Sequence, residues 1–261
     1  MRKLRLFASD LDHTMFTPGE PADTESLKIL MDWLKDNSIK LSYVSGRSFD
    51  MVWDVMAEYS LPMPDYIISS VGTCITHHKH GKWVVLDKWR DRLRSKWSHI
   101  TVSKLTEMMS SFPQAQMQPD QEQGEFKLSY RILDDEPLNV WERRVEQGLK
   151  ERDLEITLII SQGGESPICV DFVPNIASKS KALEFLAEEM KITKDGVVYA
   201  GDSGNDEDAL ACGVFGILVA GGEAGLAHRL GKYKRIYCAN SLQVKGILEG
   251  LRHFRFMKEV K

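Results

Sequence analysis

Three short apolar runs break off in the same way. Residues 4–9 lead into "SDLDHT" (9–14), "KLSYVSGRS" (40–48) ends in a small polar turn, and "GVVYAGDSGND" (196–206) closes on acids and glycines. Brief apolar runs of this kind suit strands buried on both faces, the pattern of a parallel sheet covered by helices. In such a sheet ligands bind beyond the carboxyl ends of the strands, so the three clusters share one edge. That edge would gather Asp10, Asp12, Asp202, Asp206 and Asp208. Like charges this close repel, and burial makes the repulsion worse. A divalent cation resolves the conflict, and short acids with oxygen donors suit a hard ion such as Mg²⁺.

The rest of the chain supplies the sheet. Thr24 reads as a helix N-cap, followed by Leu27, Leu30 and Leu34, with Ile29 and Trp33, at helical spacing. A second helix runs through "FDMVWDVMAEY", and "PDYIISSVGT" (64–73) reads as a third strand. This β-α-β-α-β order implies right-handed parallel crossovers. The middle is different: "GKWVVLDKW", "EFKLSYRIL", "EITLIIS" and "ICVDFV" read as strands around helices at 101–112 and 136–151, which suits a small antiparallel α+β unit. The last stretch returns to α/β. The expected organisation is one α/β core built from residues 1–85 and 169–261, with an α+β module inserted at 86–168.

Composition narrows the function classes. A net charge of -4 over 261 residues argues against nucleic acid as a partner. The basic stretches at 88–97 and 252–258 are short and interrupted, so they read as helix faces. No apolar run approaches the length of a membrane helix, and the apolar part of the N-terminus is too short for a signal peptide. Cys74, Cys169, Cys212 and Cys238 show no metal-type spacing and suit reduced thiols in the cytoplasm.

The acid pair asks for more than a metal. As a nucleophile, Asp10 can attack phosphorus and form an aspartyl-phosphate. Asp12, one strand repeat further on, points the same way if the chain stays extended, and can serve as acid and then base. Ser45 and the amides of Gly46 and Arg47 sit at a strand-to-helix turn, where anions are favoured. Lys179 opens a helix and can neutralise a phosphate oxygen, with Lys181 as a competing candidate that faces elsewhere. Taken singly, "DLDHT" or "SGR" is ordinary turn chemistry. Their order and placement together point to phosphoryl transfer.

These four motifs, "DLDHT" (10–14), "SGR" (45–47), "SKSKAL" (178–183) and "GDSGND" (201–206), resemble those of the haloacid dehalogenase (HAD) superfamily. The resemblance spans essentially the whole chain. It implies a Rossmann-like parallel-sheet core, and an insertion between the second and third motifs marks the C2 type of cap. "GDSGNDEDAL", "QEQGEFKLSYRI" (121–132) and the "GT" at 72–73 are most similar to sucrose-phosphate phosphatases and related sugar phosphatases. Carried over by position, the resemblance makes Asp10 the nucleophile and Asp12 the acid/base. Mg²⁺ would be held by the Asp10 side chain, the Asp12 carbonyl and Asp202, with Asn205 and Asp206 in support. Phosphate falls to Ser45, Gly46, Arg47, Lys179 and Asn205. His13 and Ser180 depart from the family pattern, where glycine is usual at each.

The implied activity is Mg²⁺-dependent hydrolysis of a disaccharide phosphate or hexose phosphate by a monomer or weak homodimer. A phosphomutase and a non-catalytic sugar-phosphate-binding protein are the alternatives. Glu125, Lys127 and Tyr130 are candidates to contact the sugar, or else they are alternating residues on the solvent face of a strand. "HHKH" (77–80) reads as a solvated loop or tight turn rather than a second metal site. Cap movement over the site would hinge near Asp87 and Pro167.

Overall fold

The structure, a computed structural model, describes residues 3–133, 137–161 and 168–258. Pro167, one of the two expected hinges, lies outside them. Two sheets organise the described residues, one of eight strands and one of four.

At the centre of the larger sheet is β1 (Leu6–Ser9), fully buried. It pairs in parallel with β2 (Lys40–Val44) on one side and β10 (Val197–Gly201) on the other. β3 (Tyr66–Ser69) and β11 (Phe215–Ala220) extend the parallel set, and β12 (Ile236–Leu242) closes one end. Helices α1 (Thr24–Asp36), α2 (Phe49–Glu58) and α7 (Gln243–His253) are on one face. On the other lies α6 (Lys179–Glu189). Asp23, not Thr24, caps α1, its carboxylate accepting from the Ser26 amide at 3.0 Å. Leu27, Leu30 and Leu34 are buried as expected, while Ile29 turns to solvent.

The edge beyond β3 differs from the sequence reading. "THHK" is strand, not loop: β4 (Cys74–Lys79) pairs antiparallel with β3, and only His80 and Gly81 form the turn to β5 (Lys82–Val85). Both strands belong to the larger sheet, including the "KWVV" that had seemed part of the middle unit. His77 stacks on Tyr66 and His78 lies against Trp83, so these rings pack as sheet side chains.

The smaller sheet has the order β6 (Ala115–Met117), β7 (Leu128–Ile132), β9 (Ile168–Pro174), β8 (Ile156–Ser161), all antiparallel. β9 carries this sheet six residues past position 168. Tyr130, Ile132, Val170 and Phe172 pack one face against Leu105 and Met108 of α4 (His99–Met109) and Trp141 and Val145 of α5 (Leu138–Glu151). Alternation along the strands puts Ser129, Arg131, Cys169, Asp171, Ile159 and Ser161 on the opposite face. The linking helix α3 (Asp87–Arg94) begins at the other expected hinge, and its Trp89 indole donates to the Gly72 carbonyl at 3.0 Å.

Candidate active site

Strand register builds the site. Ser9 pairs with Tyr43 and with Ala200, so continuing both ladders puts Ser45 and Asp202 level with Leu11, flanking Asp10. The 3₁₀ turn Gly204–Asp206 and the start of α6 close the ring. Ser178 caps α6, its hydroxyl accepting from the Lys181 amide at 3.2 Å, and this aims Lys179 inward.

Lys179 is 1% exposed. Its ammonium donates to Asp206 Oδ1 at 2.7 Å, Asn205 Oδ1 at 2.8 Å and Asp10 Oδ1 at 2.9 Å, which uses all three protons. Lys181 points outward toward Glu184. The two oxygens of Asp206 are further held by the Tyr199 hydroxyl and by the amides of Asp202 (3.1 Å) and Ser203 (3.2 Å). Gly201 makes room for this: a Cβ there would stand 2.6 Å from the Asp206 carboxyl carbon. Asp202 accepts from the Thr14 hydroxyl at 3.1 Å.

Carboxylate oxygens of Asp10, Asp202 and Asp206 lie within 4.8 Å of one another, the one such acid, histidine or cysteine group among the described residues. Three buried carboxylates and one ammonium leave an excess of negative charge. Burial pushes the Asp10 pKa well above its ordinary value against the pull of Lys179. Burial and the Asp206 charge push Asp202 up to about 7. Burial works against the Lys179 ammonium too, yet Asp10 and Asp206 outweigh it and hold its pKa above the ordinary lysine value. Hard oxygen donors, crowded and short of positive charge, fit a Mg²⁺ ion.

Past Asp12 the chain turns, with His13 in the left-handed region (φ 58°). The Asp12 carboxylate accepts from the Arg47 guanidinium, from Nε at 2.8 Å and from Nη2 at 2.7 Å. Asp208 is exposed and accepts from the Ser180 hydroxyl at 2.7 Å, outside the carboxylate group.

Ser45 is buried, and its hydroxyl accepts from the Arg47 amide at 3.2 Å. The loop it begins is held by a strained turn: Ser70 (φ 51°) and Val71 (φ 57°) both stand in the left-handed region. That is unusual for a β-branched residue. Their amides donate to the carbonyls of Arg47 (2.7 Å) and Ser45 (3.1 Å). Gly72 follows with φ 91°, and a Cβ there would stand 2.2 Å from the Ser178 carbonyl oxygen. Gly72 thus lets this turn touch the start of the Lys179 helix.

The smaller sheet covers the site with its polar face. Ser161 accepts from Asn205 Nδ2 at 3.1 Å, and Gly124 rests near Ser70. Of the three sugar candidates, Lys127 is buried on this side and donates to Asp171 Oδ1 at 3.2 Å, and the Ser129 hydroxyl donates to the same oxygen at 2.5 Å. Glu125 is exposed, paired with Arg90 at 2.7 Å and Arg94 at 3.5 Å. It lines a cavity of about 250 Å³ with Phe49, Ser70, Thr73, Trp89 and Phe126. Tyr130 departs from the sequence reading: it points away, into the α4–α5 core, edge-on to Phe172. Arg131, Asp171 and Ser161, which the sequence reading missed, share the inward face. Their signal was the two-residue alternation in "KLSYRI", "CVDFV" and "ITLIIS", once the pairing is known.

A Rossmann-like sheet with buried acids just past its strand ends, a buried lysine and a paired-acid loop, with a second sheet laid over them, defines the capped phosphatases of the HAD superfamily. Within it, the chain belongs to the sucrose-6F-phosphate phosphohydrolase family, whose pattern matches residues 3–255. It is 29% identical to sucrose-phosphatase 1 of Nicotiana tabacum over 95% of this chain and 59% of that protein. It is 27% identical to mannosylfructose-phosphate phosphatase of Agrobacterium fabrum over 97% of this chain and 98% of that one. The solved sucrose-phosphatase of Synechocystis, in complex with sucrose and phosphate, superposes with a TM-score of 0.84 at 28% identity, covering 97% of this chain and 98% of that chain. The chain thus spans less than two thirds of the plant relative and nearly all of the bacterial one.

Proposed function

We propose that the protein hydrolyses a sugar phosphate through an aspartyl-phosphate on Asp10, with Mg²⁺ as cofactor. The carrying observation is the convergence of Asp10, Asp202, Asp206 and Lys179 in one buried cluster with excess negative charge. Mg²⁺ would be held by the carboxylates of Asp10 and Asp202 and the Asp12 carbonyl, with Asp206 and Asn205 behind them, and would offset the charge of the bound phosphate. An Asp10 oxygen bonds to phosphorus as the bond to the sugar oxygen breaks. Asp12 gives that oxygen a proton, then takes one from the water that releases inorganic phosphate. The bidentate Arg47 grip keeps the Asp12 carboxylate in place beside Asp10. Ser45 and the amides of Gly46 and Arg47 hold the phosphoryl oxygens, and the charge of the Lys179 ammonium offsets theirs.

The substrate is a disaccharide phosphate or hexose phosphate, and its sugar is the leaving group. Sucrose phosphate and mannosylfructose phosphate, after which the relatives are named, are the first to try. In this reading Lys127 and Glu125 meet sugar hydroxyls from the covering side, which acts as a cap that closes to exclude water. Four free cysteines suit a reducing compartment, and no described helix is long and apolar enough to cross a membrane. The reading is of a monomer or weak homodimer.

Incubation of the purified protein and Mg²⁺ with a panel of sugar phosphates tests this directly. Free phosphate is expected from at least one disaccharide phosphate or hexose phosphate. Isomerised sugar phosphate without free phosphate would make it a mutase. Binding without turnover under any divalent ion would make it a sensor.

A further inference from the structure

The side-chain amide of Asn205 has two unlike ends, and each is committed. Oδ1 accepts from Lys179 Nζ at 2.8 Å and from Ser203 Oγ at 3.1 Å. Nδ2 donates to Ser161 Oγ at 3.1 Å. Lys179 has no acceptor, so it dictates which end of the amide faces it. Ser161 comes from the last position of β8, in the other sheet, and it pins the far end. The same ammonium carries Asp10 and Asp206 on its other two protons. The two sheets are therefore joined, through one amide, to the proposed nucleophile.

The geometry points to Ser161 as a positioning residue that makes the catalytic lysine responsive to the cap. With the smaller sheet seated, Nδ2 is held, the amide plane is fixed, and Oδ1 stays on Lys179. When the sheet withdraws, Nδ2 loses its partner, the Asn205 side chain regains rotamer freedom, and the third acceptor of Lys179 loosens. An ammonium short of one acceptor is less well fixed against Asp10 and the phosphoryl oxygens. Full alignment then coincides with closure, when water is excluded from the site. This inference rests on the phosphatase reading, and Ser161 touches neither substrate nor reacting atoms in it.

A double-mutant cycle tests it. Ser161→Ala is expected to lower kcat on the best sugar phosphate about two- to tenfold, the range of one neutral hydrogen bond, with KM within about twofold. Ser161→Thr, which keeps the hydroxyl, is expected to restore most of the loss. In an Asn205→Ala background, Ser161→Ala is expected to cost nothing further. Calorimetric binding of orthovanadate with Mg²⁺ reads the same cycle without turnover, and there Ser161→Ala is expected to weaken binding by a similar factor. Losses that add in the two backgrounds, an unchanged kcat in Ser161→Ala, or a threonine variant no better than alanine would overturn the coupling. A wild type that binds vanadate with the expected non-additivity yet hydrolyses no sugar phosphate would sink the phosphatase reading and leave the coupling standing.

Discussion

The floor and the roof of the site each bury a lysine among carboxylates, to different ends. On the floor, Lys179 serves three acceptors while Asp202 remains beside it, leaving an excess of negative charge that calls for a cation. On the roof, Lys127 faces Asp171, which also accepts from Ser129, and the pair is balanced. The floor is charge-frustrated and suited to phosphoryl chemistry. The roof is neutralised and suited to recognising a sugar. Buried like charges cost stability, so their persistence marks the chemical end of the pocket.

The largest effect that probes this contrast is at Asp10, the proposed nucleophile. Asp10→Asn is expected to cut phosphate release by roughly a thousandfold or more while leaving the protein folded, since it removes one of the repelling carboxylates. Next is Lys179→Met, which leaves Asp10 and Asp206 without their cation. A loss of about 3–5 kcal/mol in stability is expected from denaturant melts, with a kcat drop on the order of a hundredfold. The matching change on the roof, Lys127→Met, strands Asp171 and also destabilises, but it is expected to raise KM for the sugar phosphate more than it lowers kcat. Equal kcat losses from the two lysine variants, with KM unmoved, would erase the distinction between floor and roof.

A smaller effect follows from protons. Asp202 is pushed up to about 7 in the folded chain from an ordinary value of 3.8. Between those values the folded state keeps a proton that the unfolded chain gives up. This group's contribution to stability is therefore largest at low pH and is lost as pH rises through the window. Without divalent ions, melting temperature is expected to be higher in mildly acidic buffer than in mildly alkaline buffer, other groups held equal. Mg²⁺ competes with that proton, so its stabilisation should grow as pH rises. Mg²⁺ stabilisation that is flat across the window would remove Asp202 as the titrating ligand. The smallest effect is at Tyr130, which packs in the roof's own core. Tyr130→Phe is expected to leave KM unchanged and stability within about 1 kcal/mol.

The contrast also explains what could be read from the sequence. Asp10, Ser45 and Asp202 each lie just past the end of a buried parallel strand, so finding the strand finds the residue. Lys179 was legible because a helix start fixes its direction. The roof offered no such anchor. Tyr130 and Arg131 are neighbours on opposite faces, and only the pairing of β7 with β9 decides which one looks at the site. The turn after Asp12 was hidden for a related reason: a left-handed His13 is invisible to an argument from extended alternation. β4 was hidden because its histidines and lysine suggested a loop, whereas stacking on Tyr66 and packing against Trp83 override weak strand propensity.

Acid quenching of the protein during turnover with Mg²⁺ and its preferred sugar phosphate, followed by peptide mass mapping, reaches the central claim most directly. One phosphoryl group is expected on the peptide containing Asp10, lost in Asp10→Asn and accumulating when Asp12→Asn slows hydrolysis. Steady release of phosphate with no phosphoryl group trapped at Asp10 in either wild type or Asp12→Asn would contradict it.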